Sequence, residues 1–484
     1  MMRFSISVCV IGLLTVCSGL QAQSDGGDPL HIGSVTVSGS IHERYEAWDW
    51  FPAKGENSYG YSGSLLRLMF KQQEHNYDWG IELAAPILLG IPDHAVLPAP
   101  QGQLGLGGSY YAANHNSQNA ASVFVKQAYF RLKGEHSNVK FGRFEFFDGG
   151  EVTPKDPTLA IVKRDGISQR LIGTFGFADV QRSVDGAQYL YSNGPWTVTA
   201  FSGVPDRGVF QVDGWGWVVT PVTYAAVTKQ ASIGASKAEW RVFGIYYNDN
   251  RSVIKADNRP AAARANDLGG INIGTFGGHY IQEVPTSVGT FDWLGWGAVQ
   301  TGRWGLLVQR SAAGVVEGGF QPKIVKAVRP WIRGGYFYST GDNNPNDNVH
   351  GTFFAILPTP RVYARFPFLN EMNNRDLFGE LMLRPAKGLT LRSDIHGLWL
   401  ANGQDLWYAG GGAFQPWTFG FSGRPAAGAT GLATLYDISA DYAWPHGVST
   451  GLYFAYARGG AVVAHSFPGD SNAKFGYVEV NYHF

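Results

Sequence analysis

The sequence predicts an all-β fold, a single-chain transmembrane antiparallel β-barrel of about eighteen strands. Three observations lead there. First, the C-terminal residues alternate and end on an aromatic. Gly476, Val478, Val480, Tyr482 and Phe484 share one parity; Phe475, Tyr477, Glu479, Asn481 and His483 share the other. Successive strand side chains point to opposite faces, so one face is apolar and the other carries Glu, Asn and His. Second, the chain is 14% aromatic, holds 64 glycines and is only 16% charged, against about 25% charged in an average soluble domain. Third, the chain after the N-terminal segment has no apolar run of the roughly 18 residues that a membrane helix needs. Short alternating segments separated by turn residues recur instead.

The N-terminus reads as a secretory signal over residues 1–22. Arg3 supplies the positive charge, Ile6 to Val16 the apolar stretch, and small residues lead to a cut after Ala22. Cys9 and Cys17 both fall inside it, so the mature chain has no cysteine and no disulfide or thiol chemistry. Lipidation at Cys17 is disfavoured by the bulk of Val16 before it. The mature barrel is expected over residues 23–484, with 23–33 as a short periplasmic lead-in.

The first strand places Val35, Val37, Gly39, Ile41 and Tyr45 on one parity, interrupted by Glu43. Thr36, Ser38, Ser40, His42, Arg44 and Glu46 fall on the other. In lipid every backbone group must be bonded within the structure, so a spanning sheet closes on itself. The apolar parity then faces lipid and the polar parity a wet lumen. A soluble sandwich would bury the apolar parity in a core; the signal segment, the missing cysteines and the C-terminus weigh against it.

Short periplasmic turns are expected at 73–77, 133–137, 192–195, 385–388 and 444–447. They join strands 61–72 to 78–89, 122–132 to 138–147, 184–191 to 196–203, 375–384 to 389–400, and 432–443 to 448–459. Further strands are expected near 220–229, 237–247, 268–281, 288–299, 302–312 and 328–340. Long loops rich in Gly, Pro, Asn and Asp lie near 90–121, 148–183, 204–218, 248–267, 341–373, 401–431 and 460–473. The even strand count puts both termini in the periplasm. The segment 313–327 is long for a periplasmic turn. Eighteen strands predict an open channel rather than a filled core.

By the same parity, Arg44, Arg67, Arg143 and Arg392 are expected to face the lumen. Phe144 and Phe146, opposite Arg143, would face lipid. Glu82, Glu145, Glu380, Asp394 and Asp437 would also point inward, and His396 shares the face of Arg392 and Asp394. Arginine suits a path for carboxylates, because its planar fork binds them in pairs of hydrogen bonds and stays charged. An ordinary ladder of mutually paired wall charges is the plainer reading. The basic loop 148–183 holds Lys155, Lys163, Arg164, Arg170 and Arg182. It either folds into the lumen and narrows it or meets lipopolysaccharide phosphates outside.

Four motifs resemble the alginate export family of outer-membrane porins. They are Tyr338-Ser-Thr-Gly-Asp-Asn-Asn-Pro-Asn-Asp-Asn-Val-His-Gly-Thr-Phe353 followed by Leu357-Pro358; Phe141-Gly-Arg-Phe-Glu145; Arg182-Ser-Val-Asp-Gly186; and Arg384-Pro-Ala-Lys-Gly-Leu-Thr-Leu-Arg392. The chain departs from the family pattern at Phe144 and Val184. The resemblance implies an eighteen-stranded barrel, an arginine-rich lumen that attracts a polyuronate, and a monomer. It also favours a constriction role for Arg182 and Asp185.

The expected function is therefore passive conduction of an acidic polysaccharide or oligosaccharide such as alginate. A general diffusion porin for small hydrophilic solutes, or an adhesive surface barrel, are the alternatives. Expected partners are an anionic or neutral carbohydrate, outer-membrane lipid and lipopolysaccharide, the barrel-assembly machinery through Phe484, and periplasmic secretion proteins. No basic arm of the kind nucleic acid needs is present. No cofactor is expected. Asp342 and Asp347 offer oxygens a calcium ion could use, but a solvated turn is the preferred reading, since the run lacks the glycine and terminal glutamate of a calcium loop. No nucleophile-elbow or zinc-protease motif points to an enzyme.

Overall fold

The computed structural model describes residues 29–53, 57–359, 365–469 and 471–484; the signal segment 1–22 lies outside them. Eighteen antiparallel strands close into one barrel. In chain order they are β1 Val35–Asp49, β2 Ser58–Gln73, β3 Tyr77–Leu89, β4 Phe124–Lys133, β5 Ser137–Phe144, β6 Val184–Asn193, β7 Trp196–Pro205, β8 Val222–Ile233 and β9 Ser236–Asp249. They continue as β10 Ile271–Pro285, β11 Gly289–Trp304, β12 Leu307–Pro322, β13 Trp331–Ser339, β14 Asn374–Ala386, β15 Leu389–Leu400, β16 Gly431–Ala443, β17 Val448–Gly459 and β18 Asn472–His483. Among the described residues four helices sit in the long connections, α1 Gly105–Ala113, α2 Pro157–Gly166, α3 Ala261–Asn266 and α4 Ala461–Ser466.

The period-2 pattern sets which face is which. Tyr45, Leu66, Ile81, Val242, Ile332, Ile395, Tyr436 and Val478 are exposed and form the outer band, while their strand neighbours Arg44, Glu82, Arg241, Arg333, Asp394 and Asp437 are buried inside. Glu43 breaks the outer band as expected, and the hydroxyls of Ser62 and Ser64 on β2 donate to its carboxylate. Two-residue hairpins at Gly194 (φ 58°) and Gly234 (φ 61°) use the left-handed conformation that such tight turns require.

β18 closes the barrel against β1, with Val478 opposite Tyr45 and Tyr482 opposite Ile41. Val35 and Val37 share the apolar face of Ile41 and Tyr45 but precede the stretch of β1 that β18 reaches. Those two pair with Ile32 and Leu30 of the short lead-in strand Leu30–Ile32. Phe484 exchanges backbone hydrogen bonds with Gly39 at 3.0 and 3.2 Å, and its ring lies over Gly39, where a Cβ would collide with it.

Two expectations fail. The strand expected at 302–312 is instead β12, Leu307–Pro322. The hairpin before it turns at Gly305 (φ 59°), and the periplasmic connection is 323–330. The run Ser311-Ala-Ala-Gly-Val-Val-Glu-Gly-Gly319 reads as a loop from local preference. In a closed barrel its backbone must pair on both sides, and it does so with β11 and β13.

The second failure is the open channel, because the long connections turn into the lumen. One apolar cluster joins wall residues Trp48, Tyr61 and Leu65 to loop residues Tyr110, Phe175, Phe366, Phe368 and Trp407. A second joins Phe243, Trp296 and Phe337 to Leu159, Val162, Phe354 and Phe419. Burying each such side chain contributes about 1.5–3 kcal/mol, which favours inward-folded loops over loops held in water.

Candidate functional site: the charged lumen and its loop plug

The inward faces carry a set of arginines, each holding carboxylates. Arg44 donates to Glu479 at 2.9 Å and to the Phe177 carbonyl, and lies 3.4 Å from Glu46. Arg67 donates to Glu82 at 2.6 and 2.8 Å, to Glu145 at 3.0 Å and to Gln181 at 3.1 Å. Arg392 bonds Asp394 at 2.8 Å and Glu380 at 3.1 Å. Arg333 bonds Asp292 at 2.6 Å and Glu317 at 2.7 Å, and Arg241 pairs with Glu151 at 3.1 Å. The last two were missed in the sequence, although each alternates with an apolar neighbour, Ile332 or Val242.

The loop 145–183 folds inward, settling the two readings left open for it. Helix α2 begins where Asp156 accepts a hydrogen bond from the Leu159 amide at 2.9 Å, with Pro157 in its first turn. It packs on β10 and β11 and buries Lys163, which pairs with Glu239 at 2.5 Å. Arg170 is buried and bonds Glu371. Burial pushes the Glu371 carboxyl up to about 7 in spite of Arg170 beside it. Burial likewise pushes Asp179 up to about 7, against the pull of Arg44. Arg164 lies at the helix end, bonded to Asp165, while Lys155 is exposed.

Arg170, Arg333 and Arg392 converge on one narrow cleft with Asp165, Glu317, Glu371, Asp376, Glu380 and His396. Three guanidiniums there face five carboxylates, so the cleft carries no excess of positive charge.

Three expected site residues are placed differently. Arg182 is buried, and its guanidinium donates to the carbonyls of Gly173, Leu357, Gly411 and Ala413 at 2.6–3.5 Å. It ties three long loops together instead of facing a passage. Burial without an ion-pair partner among the described residues pulls its pKa down to about 10. Arg143 shares the face of Val139 and Phe141, which are exposed on the outside of the barrel. It pairs there with Asp185 at 2.6 Å, whose face also carries the exposed Tyr189. Phe144 and Phe146 point inward into the second apolar cluster. Each parity of 139–146 mixes apolar and charged residues, Val139 and Phe141 with Arg143 and Glu145 on one and Phe144 and Phe146 with Lys140 on the other, so alternation could not tell inside from outside. Glu145 follows the end of β5 and turns inward to Arg67.

Asp342 accepts the amides of Asn344 and Gly351, and Asp347 that of Val349, so these carboxylates cap their own loop.

Three of the four motifs are thus parts of one clasp: 141–145 meets 182–186 through Arg143 and Asp185, and Arg182 reaches Leu357. A family model described as alginate export matches residues 108–464. The chain belongs to the alginate export family. Solved structures of similar fold include OccAB4 from Acinetobacter baumannii (9% identity, 93% of this chain and 98% of that one, TM-score 0.57). OccAB1 from the same organism is similar at 10% identity (96% and 99% covered, TM-score 0.56). Pseudomonas aeruginosa OpdK, solved with vanillate, is similar at 9% identity (93% and 98% covered, TM-score 0.51). At such identities these likenesses establish the fold alone. No curated protein matches the sequence. Family and barrel together make the protein an outer-membrane β-barrel channel. Its charged cleft is lined in part by Arg170 and Glu371, which lie on two of the loops that Arg182 ties together.

Proposed function

We propose that the protein conducts an acidic oligosaccharide or polysaccharide of the alginate type passively across the outer membrane. The observation that carries this reading is that the inward arginines already hold carboxylates in hydrogen-bonded forks. A uronate carboxylate has the same shape and charge as the wall carboxylate it would displace, so the sugar advances by exchange and no site binds it so tightly as to trap it. Direction then follows the gradient. For a polymer, the loops tied by Arg182 must move aside. The constriction assigned to Arg182 and Asp185 is replaced in this proposal by the cleft of Arg170, Arg333 and Arg392, with Arg44 and Arg67 further round the wall on β1 and β2.

A second reading, passage of small carboxylates only, is favoured by the inward-packed loops and by a fold neighbour solved with vanillate. Planar-bilayer recordings separate the two. Arg333→Ala and Arg392→Ala should each shift the reversal potential toward cations. Each should also weaken block by oligouronates about 10-fold or more, as expected for one lost charge-assisted bond. Arg143→Ala, on the outer face, should do neither. If both inner variants keep wild-type selectivity and block, the exchange path is wrong. Block by monouronates but not by oligouronates would favour the small-solute reading.

A further inference from the structure

The geometry points to a divalent transition-metal site on the inner wall, formed by Asp394, His396 and Asp437. Its ligands follow from the sheet. Asp394 and His396 are two residues apart on β15 and so share a face, and Asp437 on β16 is the direct partner of Asp394. One donor atom from each lies within 4.8 Å of the other two, and all three residues are more than nine-tenths buried. Two carboxylates directly opposite each other on a buried face repel; Arg392 beside them holds one oxygen of Asp394 at 2.8 Å and leaves the other free for a cation.

The unused atoms identify the ligand. His396 Nδ1 bonds Asp376 at 2.9 Å, which leaves Nε2 to face the cluster, and Nε2 has no hydrogen-bond partner. Asp394 Oδ2 is held by Arg392 at 2.8 Å, while its Oδ1 also has no partner. Asp437 Oδ2 accepts from the Tyr453 hydroxyl at 3.3 Å. His396 and Asp394 are therefore each anchored through one atom and leave another without a partner, and Asp437 stands directly opposite Asp394. A carboxylate behind the imidazole, fixing its tautomer and raising its basicity, is the usual support of a metal-bound histidine. An imidazolium serving only as a wall cation would donate from Nε2 to one of the two carboxylates, and no such bond forms.

One imidazole with two carboxylates suits Zn²⁺ or Mn²⁺ better than Ca²⁺, which takes oxygen ligands alone. Bonds of about 2.0–2.2 Å would draw the donors slightly together. His396 lines the charged cleft, which gives the ion a route in. A bound dication would offset the carboxylate excess there, yet the site does not depend on what the channel conducts.

The test uses the full-length folded barrel in detergent, stripped with EDTA and titrated with Zn²⁺ or Mn²⁺ by calorimetry, with metal content read by mass spectrometry. One saturable site per chain is expected, with Ca²⁺ binding at least 10-fold weaker. His396→Ala should abolish saturable binding. Asp376→Asn should keep the stoichiometry but weaken affinity about 10–100-fold, as loss of an orienting partner does. Folding of each variant is checked by heat-modifiable gel migration. If His396→Ala does not fold, Asp437→Asn carries the test, with at least 10-fold weaker binding expected. Absence of stoichiometric binding to the wild type overturns the proposal, as does unchanged affinity in the folded ligand variant. Because binding is read without transport, either result leaves the conduction reading standing or falling by itself.

Discussion

Arg67 offers the sharpest test of how the lumen is held. Its guanidinium makes hydrogen bonds of 2.6, 2.8 and 3.0 Å to Glu82 and Glu145 and one of 3.1 Å to Gln181, linking β2, β3 and the root of the 145–183 loop. In Arg67→Met the apolar stem remains but two carboxylates lose their main counter-charge. Glu82 keeps a bond from Gln127 at 2.6 Å, and Glu145 keeps Lys126 at 3.8 Å. Removing one partner of a buried pair costs about 3–5 kcal/mol. The Glu145 side chain is 25% exposed, so solvent screens part of that loss and the expected value is near the lower end, about 3 kcal/mol. Most of it should reflect the stranded Glu82. In a Glu82→Gln background the same Arg67→Met change should therefore cost only about 1 kcal/mol, a coupling of about 2 kcal/mol. Reversible urea unfolding of the barrel in lipid vesicles measures both. A loss under about 1 kcal/mol in the wild type, or equal losses in the two backgrounds, would refute the claim that Arg67 neutralises a buried carboxylate pair.

Further expectations concern the loops and the seam. Arg182→Met frees carbonyls on three loops, each hydrogen bond worth about 1 kcal/mol or more; proteinase K should cut within 145–183 or 401–430 several-fold faster and conductance should rise, whereas identical cleavage and conductance would count against the staple. Asp179 and Glu371 are both held up at about 7 by burial, above the unfolded carboxyl value of about 4. Their contribution to loop docking is thus complete below about pH 4 and lost as pH rises through about 7. Amide protection factors in 170–180, corrected for the intrinsic rise of exchange with pH, should accordingly fall from pH 5 to 8, and constant protection would contradict this. Deleting Phe484 should lower surface levels of assembled barrel. Gly39→Leu, which would push against the Phe484 ring, should do so in the same direction; normal levels for both would show that this contact is dispensable.

The strand count, the lipid and lumen faces of most strands, and the seam-closing final strand were legible from period-2 alternation. Lipid on one side and water on the other impose a rule that each residue obeys locally. That is why Arg44, Arg67, Arg392, Asp394 and Asp437 could be placed inward from their neighbours alone. The rule loses force where each parity mixes apolar and charged residues, as at Val139 to Phe146, and there Arg143 fell on the wrong side. It also fails where glycine replaces the strand formers, as in 311–319, whose pairing is enforced only by closure.

What the tertiary structure alone decided depends on residues far apart in the chain. Arg182 could be read as a cation from sequence, but its four carbonyl partners come from loops some 230 residues away at most. His396 looked like an ordinary wall residue until Asp376 and Asp437 arrived on the flanking strands. Alternation specifies the side of the sheet on which a residue stands, because each strand residue meets its solvent directly. It cannot specify what fills the lumen, because that is set by how loops of different length fold back and bury their own apolar side chains.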